Sequence, residues 1–248
     1  MQKILGYMRK AIREYDLIQN GDRICIGISG GKDSLVLLYG LILLRKFIGI
    51  EYDLTGVTLD PQFGGIPGNY SSVAKLCADN EIDYHIIPTN IGEIVFDIRK
   101  ESNPCSLCAR MRRGALHDAT NKYECNKVAL GHNYDDAVET FVMNLFTEGR
   151  IGCFSPKSYL SRKNIHMIRP LVFAPENEIR KAAFKNNLEI VKSRCPADGH
   201  TNREKTKKFL ANMEKEDHGF KNRLFGAMKR AGIDGWKPID NGQWTMDN

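Results

Sequence analysis

The stretch ICIGISGGKDS, residues 24–34, decides the fold prediction for this chain. Its apolar first half, Ile24–Ile28, predicts a buried strand, and the sequence from Asp33 onward predicts a helix. The glycines between them let the backbone approach an anion, and the N–H groups and dipole at the start of a helix stabilise negative charge. The stretch therefore predicts a phosphate-binding loop between a strand and a helix.

The spacing within this loop excludes two common nucleotide-binding motifs. A Walker A loop needs four residues between its first glycine and Gly-Lys-Ser/Thr, and a dinucleotide fingerprint needs G-x-G-x-x-G. The order S-G-G-x-D-S instead resembles the PP-loop of the ATP-pyrophosphatase, or N-type, family. That resemblance implies a loop that holds the pyrophosphate of ATP while the α-phosphate is attacked. The loop residues concerned are Ser29, Gly30, Gly31, Lys32, Asp33 and Ser34.

Composition places the chain among ordinary soluble globular proteins. It has 248 residues, 42% hydrophobic and 27% charged, and its 36 Lys plus Arg against 30 Asp plus Glu give a net charge of +6 that suits a polyanionic partner. The charged N-terminus has no apolar core of a signal peptide, and no stretch approaches the length of a membrane span. We expect a cytoplasmic protein with no membrane association and with seven reduced cysteines.

Helical and strand patterns alternate along the chain. Helices are predicted from residues 4 to 17, 33 to 47, 71 to 80 and 135 to 146, and strands from 24 to 28, 52 to 59, 84 to 87 and 127 to 131. This alternation predicts an α/β fold with a parallel sheet flanked by helices, as in the adenine nucleotide α-hydrolases that carry a PP-loop. We predict a single domain over residues 1–248, with an N-terminal helix within 1–20, a small cysteine-bearing helical portion and a basic helical part over about 200–248.

A second motif, VALGHNYDDAVET at residues 128–140, follows a predicted strand. It resembles the G-H-x-x-D-D-x-x-E-T element of PP-loop enzymes that modify tRNA, although Asn133-Tyr134 replaces a frequent His-Arg pair. The resemblance implies nucleotide contacts from Gly131, His132 and Asp136, a strand-end Asp60 that holds adenosine, and Mg²⁺ near Asp33 or Asp135. Lys32, Asp33 and Asp135 are then the predicted catalytic residues. The alternative for the two carboxylates is a helix N-cap with a solvated neighbour.

Three cysteines separate the members of this superfamily. Cys105 and Cys108 form a C-x-x-C pair, and Cys195 lies far along the chain. With the PP-loop, they resemble the tRNA 2-thiocytidine synthetase family from about residue 20 to 210. That resemblance implies that the three thiolates hold a [4Fe-4S] cluster with one iron left without a protein ligand. It also implies a sulfide or persulfide donor, such as a cysteine desulfurase, and a homodimer.

Other interpretations of the cysteines stay open. They could form a structural zinc site with His117 or His200, a metal-free redox or persulfide pair, or a set of unrelated thiols. Basic residues near Cys108, near Cys195 and toward the C-terminus predict an RNA surface, against the alternative of solvated helical faces. These residues are Arg110, Arg112, Arg113, Arg203, Lys205, Lys207, Lys208, Lys221, Arg223, Lys229 and Arg230.

The motifs together predict an ATP-dependent tRNA sulfurtransferase. It would adenylate the C2 oxygen of a pyrimidine and replace that oxygen with sulfur, forming 2-thiocytidine in the anticodon loop. The alternatives are a PP-loop adenylating ligase without sulfur chemistry, whose cysteines hold structural zinc, and a nucleotide-sensing or RNA-binding module.

Overall fold

The computed structural model describes residues 1–100, 104–197 and 202–238. The helices are α1 (Gln2–Glu14), α2 (Lys32–Arg45), α3 (Ser71–Ala78), α4 (Pro104–Lys122), α5 (Tyr134–Thr147), α6 (Glu176–Lys185), α7 (Asn202–Glu216) and α8 (Phe220–Arg230). The strands are β1 (Asp22–Gly27), β2 (Tyr52–Asp60), β3 (Asp83–Pro88), β4 (Lys127–Ala129), β5 (Lys157–Leu160) and β6 (Ile165–Ile168). Each helix and strand predicted from the sequence is present within a few residues of its predicted bounds.

The six strands form one sheet in the order β3-β2-β1-β4-β6-β5. All neighbours are parallel except β5 and β6, which are antiparallel. The predicted parallel sheet flanked by helices is therefore confirmed. From β1 the sheet extends to one side through β2 and β3 and to the other side through β4. At such a switch point, a parallel sheet has a crevice at the carboxyl ends of its strands. The PP-loop follows β1 and the G-H-N-Y-D-D motif follows β4, so the topology brings both motifs to this crevice.

Helix α2 lies at the centre of the protein. Seven of its aliphatic side chains are at most 1% exposed, namely Leu35, Val36, Leu37, Leu38, Leu41, Ile42 and Leu44. A helix that is apolar on every side must be covered on every side, and α2 contacts the sheet, α1 and α6. The first turn of α2 carries the PP-loop lysine, so the loop rests on the most buried helix of the fold.

The C-terminal part packs back onto the start of the chain. Trp236 is fully buried, its indole N–H donates to the Phe154 carbonyl over 2.7 Å, and the Tyr15 hydroxyl donates to the Trp236 carbonyl over 3.1 Å. This Trp, which had no predicted role, is a core residue. None of the described helices is long and apolar enough to cross a bilayer.

A buried ion pair joins the N-terminal ends of β1 and β4. Lys127 Nζ lies 2.6 Å from an Asp22 carboxylate oxygen, and both residues are less than 5% exposed. The same ammonium donates to the Leu17 carbonyl, and the Asn126 amide donates to Asp22. The pair is thus fully hydrogen-bonded, as a buried pair must be to offset desolvation.

We expect Lys127→Met to lower the free energy of unfolding by about 3–5 kcal/mol, because it leaves the Asp22 carboxylate buried without a cation. Urea denaturation measures the loss. The control is Lys163→Met, which removes an exposed pair with Asp118 and should cost no more than about 1 kcal/mol. Equal losses in the two variants would contradict the assignment.

Candidate active site

The PP-loop is held in shape by two serines. Ser34 Oγ donates to the Gly31 carbonyl over 2.9 Å and accepts from the Ser29 amide over 3.2 Å, while Ser29 Oγ accepts from the Gly31 amide. Gly30 has φ +80°, a conformation that favours glycine. The loop is therefore closed around its own hydroxyls, with glycine at the turn that needs it.

Lys32 lies among carboxylates. Its Nζ is 2.9 Å from Asp33 and 3.0 Å from Glu176 at the start of α6. Burial alone would lower the pKa of Lys32, but the two carboxylates outweigh it and raise the pKa. Glu176 also pairs with Lys207 of α7 over 2.8 Å. Burial works to raise the pKa of Glu176, but Lys207 and Lys32 lower it to about 2, so the carboxylate is ionised.

The G-H-N-Y-D-D motif begins α5 beside the PP-loop. Asn133 and Asp136 form a capping box, in which Asn133 Oδ1 accepts from the Asp136 amide over 3.1 Å and Asp136 accepts from the Asn133 amide over 2.9 Å. The Asn133 side chain also donates to Asp33 over 3.0 Å. A Cβ on Gly131 would lie 3.0 Å from the Asp33 backbone. The two motifs are therefore in direct contact, and a side chain at position 131 would require the Asp33 backbone to shift.

A cavity of about 700 Å³ opens at the carboxyl ends of β1, β2 and β4. Of the predicted nucleotide-binding residues, its lining includes Ser29, Asp33, Ser34, Gly131, His132 and Asp136. Apolar side chains from β2, Val57 and Leu59, complete one wall. A large cavity with an apolar wall and a phosphate-binding loop has the form expected of a nucleotide pocket. We call it the nucleotide pocket below.

Five of the predicted nucleotide-binding and catalytic residues lie outside this pocket's lining, namely Gly30, Gly31, Lys32, Asp60 and Asp135. Asp135 accepts from the Glu176 amide over 2.7 Å and from Lys221 over 2.8 Å, so it joins α5 to α6 and α8. Asp60 is 5% exposed and accepts from the Gln62 and Gly68 amides. It lines a separate cleft of about 280 Å³ on the other side of Ser29. The predicted roles of Asp135 toward metal and of Asp60 toward adenosine stay predictions.

Sequence reasoning missed Glu139, one helical turn after Asp136 on α5. It is 4% exposed and lines a third cavity of about 230 Å³ together with Lys32, Asp33 and Asp136. Burial, with Asp136 adding to it, raises the pKa of Glu139 from 4.5 to about 7. The carboxylate thus changes charge near neutral pH in the absence of a bound cation. The G-H-x-x-D-D-x-x-E-T pattern contains this residue, but only burial distinguishes it from a surface glutamate.

This raised pKa predicts a pH-dependent stability. Between about pH 4.5 and pH 7 the folded state binds the Glu139 proton that the unfolded state has lost, so stability falls as pH rises. We expect Glu139→Gln, which cannot ionise, to gain about 3 kcal/mol relative to the parent protein across that window. Urea denaturation of both proteins at several pH values measures it. A difference that does not vary with pH would contradict the prediction.

The three predicted cluster cysteines are sequence neighbours of residues that line the nucleotide pocket or the adjacent cleft. Cys105 and Cys108 are in the first turns of α4, whose Ser106 and Ala109 line the pocket, and Cys195 follows residues of the neighbouring cleft. Burial raises the pKa of Cys108, Arg112 opposes it, and the charges of Cys195 and Cys105 raise it further. The structure thus brings the distant Cys195 into the neighbourhood of the C-x-x-C pair.

Thiolates are the usual ligands of iron-sulfur clusters, and the chain has the thiols for one. All seven cysteines are free thiols. Over the described ranges no three Cys, His, Asp or Glu side chains are gathered closely enough to form a finished metal site. The three thiols fit a cluster by their chemistry and neighbourhood, and binding would have to draw the sulfurs together. His117 has Arg113, Asp118 and Lys163 as electrostatic neighbours rather than the cysteines. His200 lies outside the described residues.

Cations surround the cysteines. Arg110, Arg112 and Arg113 line the nucleotide pocket, and Lys192 and Arg194 line the cleft beside it. The predicted basic stripe farther along the chain is largely paired within the protein. Arg203 contacts Asp136 over 2.8 Å, and Lys207, Lys221, Arg223 and Lys229 contact Glu176, Asp135, Asp217 and Glu14. Lys205 and Lys208 are exposed.

Comparison with known proteins agrees with this geometry. The family model of the PP-loop domain matches residues 4–213. The chain belongs to the PP-loop family.

Two similar curated proteins have the same name. The tRNA-cytidine(32) 2-sulfurtransferase of Geobacter sulfurreducens is 37% identical over 231 residues, which cover 92% of this chain and 89% of that protein. The tRNA-cytidine(32) 2-sulfurtransferase of Geobacter metallireducens is 36% identical with the same coverage. Among solved structures, the U34-tRNA thiolase NcsA from Methanococcus maripaludis with its [4Fe-4S] cluster matches with a TM-score of 0.73 and 28% identity. The match covers 91% of this chain and 77% of that chain.

Proposed function

We propose that this protein is an ATP-dependent tRNA sulfurtransferase that forms 2-thiocytidine. The observation that carries the proposal is that Cys195 lies near Cys108 and Cys105, which are on a helix whose Ser106 and Ala109 line a pocket built around a PP-loop. The similarity of this chain to tRNA-cytidine(32) 2-sulfurtransferases and to a tRNA thiolase with a [4Fe-4S] cluster supports the same reaction.

The PP-loop supplies the ATP chemistry. The oxygen on C2 of a pyrimidine is a poor leaving group, so direct replacement by sulfur is blocked. Attack of that oxygen on the α-phosphate of ATP forms an adenylate and releases pyrophosphate. Lys32 and the loop amides stabilise the charge that builds on the phosphates. Binding requires Lys32 to exchange its contacts with Asp33 and Glu176 for phosphate oxygens.

Carboxylates beside the loop suit Mg²⁺. Asp33, Asp136 and Glu139 line one cavity with Lys32, and Mg²⁺ prefers oxygen ligands shared with substrate phosphates. A bound cation would lower the pKa of Glu139 and remove the cost of its burial. The apo protein thus holds acidic groups whose mutual repulsion a metal–ATP complex relieves.

Cys105, Cys108 and Cys195 would hold the cluster, which when bound supplies an iron without a protein ligand that can take up sulfide. Sulfide made available there would replace the activated oxygen: a C2–S bond would form as the C2–O bond breaks, and AMP would leave with that oxygen. Burial raises the pKa of Cys108, and the charge of Arg112 lowers it. Arg112 therefore favours the thiolate form that cluster binding needs. We also propose that a sulfide or persulfide donor, such as a cysteine desulfurase, supplies the sulfur in the cytoplasm, and that the enzyme is a homodimer.

The RNA surface lies around the pocket mouth. The exposed guanidinium groups of Arg110 and Arg113 are on the helix that carries Cys105 and Cys108, and Lys192 and Arg194 precede Cys195. Such cations position RNA through its phosphates and do not read sequence. A target base splayed out of an anticodon loop could then enter the pocket. The remote basic stripe contributes less, because most of its members pair with carboxylates of this chain.

Nucleoside analysis of tRNA tests this function. Cluster-loaded protein is incubated with ATP, Mg²⁺, a sulfide source and tRNA, and the digested nucleosides are identified by mass spectrometry. We expect 2-thiocytidine that depends on ATP. ATP-dependent modification without sulfur, by a colourless zinc protein, would favour the adenylating ligase instead.

A further inference from the structure

Arg169, directly after β6, is a buried cation whose partners are all neutral. It is 7% exposed, and its guanidinium lies 4.9 Å from the centroid of the Phe154 ring. Nη1 donates to the Ser155 carbonyl and Nη2 contacts the Met167 sulfur over 2.9 Å. No carboxylate of residues 1–100, 104–197 or 202–238 pairs with it. Burial lowers the pKa of Arg169 to about 10, so the group stays charged at neutral pH.

The third guanidinium nitrogen of Arg169, Nε, faces the histidine of the G-H motif. Arg169 Nε lies 3.3 Å from His132 Nδ1. A guanidinium group can only donate hydrogen bonds, so Nδ1 must accept and cannot carry a proton. A neutral imidazole has one N–H, which must then be on Nε2.

The surroundings of His132 also favour the neutral ring. Its ring packs against Phe154 with centroids 4.9 Å apart. Burial, together with the charges of Arg169 and Arg203, lowers the pKa of His132 to about 3. Arg203 comes from α7 and Arg169 from the end of β6, so cations face the ring from two elements. Asp136, which lines the same pocket, is paired with Arg203.

Both residues line the nucleotide pocket with Ser29 and Ser34 of the PP-loop. We propose that Arg169 is a positioning residue that holds His132 as the neutral Nε2–H tautomer, so that His132 donates a hydrogen bond to an oxygen of the bound nucleotide. His132 is then a fixed donor rather than an acid or base that exchanges protons. The uncompensated charge of Arg169 adds a positive potential where an anionic ligand binds. This inference rests on the proposed use of ATP.

The test is the ¹⁵N spectrum of histidine side chains in the full-length chain, which needs neither tRNA nor turnover. His132→Gln assigns the resonances of His132. In the parent protein we expect an unprotonated Nδ1 and a protonated Nε2, with no titration between about pH 5.5 and pH 8. A protonated Nδ1, or titration near the ordinary pKa of about 6.5, would overturn the proposal.

Two variants separate the effect of the Arg169 Nε–H hydrogen bond on His132 from the effect of the Arg169 charge. Arg169→Met removes both, and His132 should then populate both tautomers and begin to titrate in this range. Arg169→Lys keeps the charge but lacks the Nε–H, so the ring should stay neutral and populate both tautomers. Unchanged His132 spectra in a folded variant would contradict the positioning role. If Arg169→Met does not fold, the parent protein and Arg169→Lys decide the question.

Nucleotide binding gives the functional readout. We expect Arg169→Met to weaken ATP binding about 10-fold, as loss of one hydrogen bond does, whereas Arg162→Met on the exposed β5–β6 turn should bind normally. Equal affinity of the two variants for ATP would overturn the proposal that the His132 tautomer supports nucleotide binding. If instead the spectra and affinities agree with the proposal but tRNA is not thiolated, the proposed function fails and the assignment of His132 stands.

Discussion

Cys195→Ala is expected to abolish thiolation of tRNA while leaving ATP binding intact. Of the three cysteines, Cys195 alone lies outside α4, and its charge reaches Cys108. Without it, two thiolates remain to hold the cluster. Loss of residues that merely support metal ligands costs about 10–100-fold in affinity or activity, so loss of a ligand should cost at least about 100-fold. The rate of 2-thiocytidine formation measures the effect.

Cys153→Ala is the matched control. Cys153 is also a free, partly buried thiol, but its sulfur contacts the Ala137 carbonyl inside the fold. This variant should keep its iron content and its thiolation rate. Normal thiolation by Cys195→Ala, or equal losses in both variants, would contradict the role given to Cys195.

Gly30→Ala is expected to weaken ATP binding about 100-fold. Gly30 has φ +80°, where an L-residue costs roughly 1–2 kcal/mol. A Cβ there would lie 2.7 Å from Val191 Cβ, and overpacking of this kind costs about 1–3 kcal/mol. The loop would have to leave its phosphate-binding shape to relieve about 3 kcal/mol of backbone strain and steric overlap. Restoring that shape on ATP binding would cost the same free energy, which corresponds to roughly 100-fold in affinity. Isothermal titration with ATP measures the change.

Gly49→Ala separates backbone strain from the clash. Gly49 has a similar φ of +73°, but a Cβ there would meet nothing within 4 Å. This control should lose about 1–2 kcal/mol of stability and bind ATP normally. If both variants bind ATP equally, the contact between Gly30 and Val191 has no part in the site.

That contact also couples the two halves of the site. The Val191 amide donates to the Gly30 carbonyl over 3.0 Å, and Val191 lies four residues before Cys195. The segment that carries Cys195 therefore rests directly on the phosphate-binding loop.

Local sequence patterns were sufficient for the PP-loop and the elements around it. An apolar run before paired glycines at 24–34 predicts a strand, a turn and a helix, since each feature depends on neighbouring residues. The short β5–β6 hairpin was missed, because two four-residue strands around a polar turn carry little periodicity. Trp236 was also missed as a core residue, because its burial depends on contacts with Tyr15 and Phe154.

The site shows the same division between features set by neighbouring residues and features set by tertiary contacts. Ser29–Ser34 and the C-x-x-C pair are recognisable from their local spacing, whereas Cys195 joins them only through the family resemblance. Glu176 and Arg169 enter through tertiary packing and have no local pattern that marks them, and Glu139 lies in the G-H-x-x-D-D-x-x-E-T pattern but is distinguished only by its burial. Arg203 and Lys207 look like RNA-binding cations in the sequence, yet the structure pairs them with Asp136 and Glu176 beside the PP-loop. Charge in a sequence does not reveal which carboxylate the fold will place opposite it.

Anaerobic purification followed by iron, zinc and acid-labile sulfide analysis and a visible spectrum tests the central claim most directly. The account predicts a brown protein with about four irons and four sulfides per chain, and loss of that iron in Cys195→Ala. A colourless parent protein with one zinc per chain, or with no metal after reconstitution with iron and sulfide, would contradict it.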